Sequence, residues 1–156
     1  MSLTMHSASV PLLTQMLGAL SKNLAKGAAF AEAKKIDPAV LLQSRLAPDM
    51  FPLVRQVQLV SDFAKGMVAR LSGTENPRYE DSEASFADLK ARLAKTLAFV
   101  QSVPASAFDG AEDRDLVIPA GPRTLEFKGL AYLLGYAILR HNGVDLGKAD
   151  YIGPAA

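Results

Sequence analysis

Apolar side chains recur along the chain at helical intervals. Val10, Leu13, Leu17, Leu20, Leu24, Ala28 and Ala31 follow one another in steps of three and four residues, which is one stripe of an amphipathic helix. The spacing predicts a first helix over residues 10–32. Ser9 is the expected cap, and Pro11 falls in the first turn, where its missing N–H removes no bond. Gly18 and Gly27 each cost about 1 kcal/mol of helix propensity relative to Ala, so packing has to offset them, for instance through close approach of another helix. Asp37-Pro38 reads as a cap followed by proline at the first helical position, opening a short helix that ends near Arg45.

A second long stripe runs from Pro48 to Leu71 through Met50, Leu53, Val54, Val57, Val60, Ala64, Met67 and Val68, closed by Ser72-Gly73. Residues 74–81 are polar and contain Pro77, so they form a loop. A third long helix starts at Ser82 or Ser85 and carries Phe86, Leu89, Leu93, Thr96, Leu97 and Val100. Lys90, Arg92 and Lys95 are its solvated side, and Pro104 ends it. The helical period then fails. Leu116-Val117-Ile118 and Leu125-Glu126-Phe127 flank Pro119-Ala120-Gly121-Pro122, which predicts a small β-hairpin with both prolines at the turn. A last helix runs from Gly129 to His141, where Asn142-Gly143 caps it.

That last helix is short for a bundle. Three helices of about 20–24 residues span roughly 30–36 Å, and the fourth only about 20 Å. The expectation is that about a dozen residues are missing at the Gly135–Tyr136 seam, or that a partner chain covers the exposed stripes.

Composition narrows the classes. The chain has 156 residues, 17 basic and 16 acidic, with a net charge of +1, so nothing electrostatic favours nucleic acid or an anionic membrane. Cys is absent, which excludes disulfides, thiolate metal sites and cysteine nucleophiles from this chain. No apolar run reaches about 18 residues, so no spanning helix is expected. A cytoplasmic location is the plain expectation. Residues 1–8 are set aside as a mobile leader or expression remnant, His6 included, and residues 9–153 are taken as one domain.

Some stretches are distinctive in combination: residues 39–53, 85–99, 108–114 and Tyr136-Ala137-Ile138-Leu139-Arg140-His141-Asn142-Gly143. Together they resemble a bacterial family described only as a domain of unknown function, grouped with the DinB/YfiT-like four-helix bundles. The resemblance implies an all-α, up-down-down-up four-helix bundle, often dimeric. A short extra helix and the hairpin in the crossover before the last helix complete the expected fold. In such relatives the last helix looks longer before the piece that matches Tyr136-Ala137-Ile138.

The same resemblance brings a chemical expectation that the chain does not meet. Many DinB-like bundles are similar to three-histidine divalent-metal sites, with one His on the second helix and a His-x-x-x-His pair on the fourth. Here the second helix offers Gln56, Gln58 and Asp62, and His141 stands alone at a helix end. One imidazole cannot close a metal shell, so no metal site and no cofactor are expected. Asp109, Glu112, Asp113 and Asp115 crowd one Gly-containing loop; carboxylates there suit a cation, but a solvated turn that locks the crossover is the ordinary reading. Arg55, Gln58, Asp62 and Lys65 lie on one wet stripe, and any of them turned inward would mark a pocket. Ser61 and Thr96 border the core and are expected to bond back to their own helices.

The pocket candidates are Gln56, Asp62, Tyr132 and His141, with no catalytic residue assigned. The expected function is a metal-free binding or structural module that self-associates through helix faces as a homodimer. Its alternatives are a metal- or thiol-cofactor-dependent transferase and a binder of a small apolar ligand.

Overall fold

The computed structural model describes residues 3–120 and 122–134. The elements run α1 (Met5–Lys34), α2 (Pro38–Leu42), α3 (Leu53–Ser72), α4 (Phe86–Ser102), a 3-10 turn (Ala105–Phe108), β1 (Asp115–Ala120), β2 (Arg123–Lys128) and the opening of a further helix, α5 (Gly129–Tyr132). This is the mostly helical architecture, hairpin included, that the apolar pattern implied. Among the described residues no helix is long and apolar enough to cross a membrane.

The first helix begins earlier than its apolar stripe. Thr4, not Ser9, is the cap: its hydroxyl accepts from the Ser7 N–H and the Ser7 hydroxyl closes the reciprocal bond. Ser9 is buried inside the helix and donates back to the Met5 carbonyl at 2.7 Å. Met5 joins the core, and the His6 ring meets Phe108 edge-on at 5.3 Å, so helix and core reach into the segment set aside as a leader. Val10, Leu17, Leu24 and Ala31 are the buried line of α1, with Leu13, Leu20 and Ala28 packed beside it. Of the two glycines, Gly27 meets a neighbour: a Cβ there would stand 3.2 Å from the Phe86 ring, whereas one at Gly18 would meet nothing within 4 Å.

Asp37 caps α2 by accepting from the Ala39 N–H at 2.9 Å. The helix stops at Leu42, short of Arg45. α3 starts at Leu53, later than expected, because Pro52 occupies the capping position in extended backbone. Gly73 closes α3 with φ of 74°, a left-handed conformation that glycine adopts without a Cβ clash. Ser85 is the true cap of α4, paired with Asp88 in a capping box.

α4 lies against both α1 and α3, which touch each other less. The shared core contains Val68, Leu71, Leu89, Leu93 and Val100, all essentially inaccessible. Each such side chain contributes about 1.5–3 kcal/mol through burial. Val60, counted in the α3 stripe, is exposed, and Ser61 faces inward in its place.

The hairpin pairs Leu116 with Phe127, Val117 with Glu126 and Ile118 with Leu125. Leu116 is buried, with Ile118 and Phe127 packed against the core, while Val117 is exposed, so the pleat alternates as a half-buried hairpin should. Pro119 stands within β1 opposite Thr124 rather than in the turn. The Gly135–Tyr136 seam, the Asn142-Gly143 cap and most of the expected last helix lie outside the described residues.

Candidate functional site

The polar residues gather where residues 74–85 cross the α3–α4 groove. This segment forms no helix or strand. Its hold on the bundle comes from α4. Arg92, 4% exposed, sends Nη1 to the Glu80 carbonyl and to Glu83 Oε1, both at 2.9 Å, and Nη2 to Asp62 Oδ1 at 2.9 Å and Asp81 Oδ1 at 3.1 Å. Arg55 on α3 pairs with the other oxygen of Asp81. Gln58 donates to Glu83 Oε2 at 2.8 Å. Lys65, buried, reaches Asp62 at 3.3 Å and the Asn76 side chain at 3.4 Å.

Tyr79 lies among the cations. Its ring has Lys95 Nζ at 4.2 Å, Lys65 Nζ at 5.2 Å and the Arg92 guanidinium at 5.5 Å from the centroid, each a favourable placement over the ring's negative face.

Two buried hydroxyls lie in the same groove. Thr96 donates to the Arg92 carbonyl at 2.9 Å, so in the 2.6 Å contact between the two side chains Ser61 is the donor. Thr96 thus bonds its own helix as expected, while Ser61 crosses to α4.

The electrostatics follow from this packing. Partial burial works against the Glu83 carboxylate, but hydrogen bonds from Arg92 and Gln58 and the Arg92 charge outweigh it and hold its pKa below the ordinary range. Burial also opposes the Arg92 cation, and its carboxylate partners more than reverse that, raising its pKa. Burial pushes the Tyr79 phenol up, against a hydrogen bond with Thr96 and the nearby Arg92 charge.

Two sequence expectations change here. Arg92 is not on a solvated side of α4; residues 74–85, a strap laid over the groove, cover it. The α3 stripe read as wet is also covered, with Gln58 and Lys65 buried and Asp62 partly so. Asp62 is therefore a member of the cluster. Gln56 is not: its amide donates to the Phe51 carbonyl at 2.8 Å. Tyr132 is buried elsewhere, its hydroxyl accepting from Arg70 Nη1 at 3.1 Å. Arg70 follows Asp62 by eight residues, about 12 Å along α3, so Asp62 and Tyr132 do not share one centre. His141 lies outside the described residues. Tyr79, Asp81, Glu83 and Arg92 were missed. The available signal was an acidic loop, Glu80-Asp81-Ser82-Glu83, beside helices bearing Arg55, Lys65 and Arg92.

The acidic loop at 109–115 acts as a joint. Arg114 donates to the Leu71 carbonyl at 2.6 Å and lies over Gly73, capping the end of α3. Asp115 pairs with Lys128 at 2.6 Å. Among the described residues no three His, Cys, Asp or Glu side chains are grouped to hold a metal ion.

A family described as "Domain of unknown function (DUF1993)" matches residues 5–152. Among solved structures, a DinB family member protein from Shewanella denitrificans is 36% identical and superposes with a TM-score of 0.75, covering 97% of this chain and 94% of that one. Among curated proteins nothing matches.

Proposed function

The chain belongs to this family of unknown function within the DinB-like superfamily, and from that premise we propose that it is a non-catalytic, cytoplasmic binding or structural module that self-associates as a homodimer through helix faces. One observation carries the reading. α2 and the connection from it into α3 leave large apolar side chains on the surface: Val40 at 58%, Leu46 at 90% and Phe51 at 59% exposure. Exposed apolar residues clustered in one segment are the usual mark of an interaction surface.

The hydroxyls of the groove support a non-catalytic role. Ser61 donates to Thr96 and Thr96 to the Arg92 carbonyl, and no imidazole or carboxylate is bonded to either hydroxyl among the described residues, so neither has the base a nucleophile needs.

Sedimentation velocity and elemental analysis of the untagged protein test the proposal together. The expected result is a metal-free dimer at micromolar concentration that becomes a monomer, with unchanged melting temperature, in Leu46→Asp/Phe51→Asp. A wild-type monomer overturns the self-association, and stoichiometric zinc, nickel or iron moves the reading to a metal-dependent transferase.

A further inference from the structure

The strap over the α3–α4 groove is acidic and the groove beneath it is basic. The helices bring Arg55, Lys65, Arg92 and Lys95 to the groove against the single carboxylate of Asp62. Removing the strap would leave four cations and one anion around a cleft floored by Ser61 and Thr96. The strap supplies what is lacking. Asp81 reaches Arg55 and Arg92, and Glu83 takes the Arg92 Nη1 edge while accepting from Gln58.

The match is incomplete in one respect. Arg92 Nε is buried and, among the described residues, has no hydrogen-bond partner. A guanidinium grips a carboxylate best side-on, through Nε and one Nη together. The tethered strap carboxylates engage only the Nη atoms, leaving that edge half used.

We propose that the α3–α4 groove is a binding site for a small polycarboxylate anion, and that Asp81 and Glu83 of the strap occupy it as internal stand-ins when no ligand is bound. The ligand places one carboxylate side-on against Arg92 Nε and Nη2 and another near Arg55 or Lys95, displacing the strap. Its hold is built for exchange. No backbone–backbone hydrogen bond holds residues 75–83 among the described residues, and none of those residues is buried. Lifting the strap therefore breaks ion pairs and hydrogen bonds that the ligand remakes, without opening the apolar core. Tyr79 leaves with the strap and uncovers the cations that flank its ring.

Citrate is the probe, with sodium chloride matched for ionic strength as the control. In calorimetric titration, Asp81→Asn/Glu83→Gln is expected to bind citrate at least tenfold more tightly than wild type, because the stand-ins no longer compete. Adding Arg92→Lys to that variant should abolish the gain. In wild type, saturating citrate should speed tryptic cleavage after Arg78, an exposed strap residue, several-fold. A folded double variant that binds citrate no better than wild type overturns the proposal. If the double variant does not fold, the wild-type digestion decides: cleavage after Arg78 that citrate leaves unchanged or slows, or that chloride speeds equally, overturns it.

Discussion

Two long connections leave the helices of this bundle, and they are fastened in opposite ways. The crossover from Val103 to Lys128 is held by apolar burial and backbone. Phe108, Ala111 and Leu116 are core residues. The hairpin ladder runs along it, and Gly129 N–H donates to the Arg114 carbonyl at 3.0 Å while Leu130 N–H donates to that of Glu112 at 2.9 Å. The strap from Thr74 to Ala84 has no buried residue and is fastened through side chains, chiefly polar and charged ones. Arginine ties both, but from opposite sides. Arg114 belongs to the connection and reaches the end of α3; Arg92 belongs to α4 and reaches out to the strap. A connection fastened by core and ladder opens only with the domain. One fastened by ion pairs can be released alone, by acid, salt or a competing anion.

The largest expected effect is on the crossover. A Cβ at Gly129 would overlap the Ala111 carbonyl oxygen, a backbone atom that no rotamer change moves aside. Gly129→Ala should cost at least ~3 kcal/mol, since relief requires the whole crossover to shift. For a chain of this size that is a drop of roughly 6–12 °C in melting temperature. Thermal unfolding followed by circular dichroism checks it, and an unchanged melting temperature would mean that close backbone packing does not hold this end of the bundle.

The strap should respond less, and without the rest of the fold. Arg92→Met keeps much of the buried stem but leaves Glu83 without its cation and Asp62 and Asp81 with one cation fewer. The loss expected is about 2–3 kcal/mol, below the usual 3–5 for a broken buried pair because Asp62 and Asp81 reach solvent. Tryptic cleavage after Arg78 should quicken while hydrogen exchange in the hairpin remains slow. Acid should act in the same direction. The Glu83 pKa is depressed by folding, so its contribution is present above the unfolded value of about 4.3 and is lost as pH falls through the lower folded value. Arg92 stays charged throughout. Denaturant titrations at pH 7 and pH 3 should show wild type losing more stability on acidification than Glu83→Gln. An equal loss in both would break the assignment of the strap to that carboxylate.

The comparison also explains what could be read from the sequence. The helices, the Asp37-Pro38 start, the Gly73 stop and the hairpin were legible because each depends on local signals: periodicity, capping and turn chemistry. The strap cluster was not. The run of charges groups Arg92 with Lys90 and Lys95, although Arg92, three residues after Leu89 and four before Thr96, borders the buried line of α4; Gln58 and Lys65 share a stripe with Arg55, and what covers them all is a segment distant in sequence. Burial of a charge is a tertiary fact, set by the Asp81 and Glu83 partners some ten residues before Arg92 and about 25 after Gln58. The same limit misplaced the start of α1. Residues 5–8 carry little periodic signal, and it is the Thr4–Ser7 capping box and the contact of His6 with Phe108 that define them.

The smallest effect sharpens the contrast most. The crossover also carries an ion pair, Asp115 with Lys128 at 2.6 Å, shorter than any distance given above for Arg92. Distance alone would rank it as the stronger fastening. Its partners, however, are 80% and 58% exposed, against 2% for the Arg92 side chain. In water the attraction is screened, and holding two long side chains in one geometry costs entropy of similar size. Lys128 also donates to the Asp113 carbonyl at 3.2 Å, which is exposed as well. Lys128→Ala should therefore change unfolding free energy by no more than ~0.5 kcal/mol, with no change in its pH or salt dependence. A loss of 1.5 kcal/mol or more that disappears in high salt would show the crossover to be fastened electrostatically as well. The distinction between a connection locked by packing and one latched by charge would then fail, since a solvent-facing pair would rival the covered one.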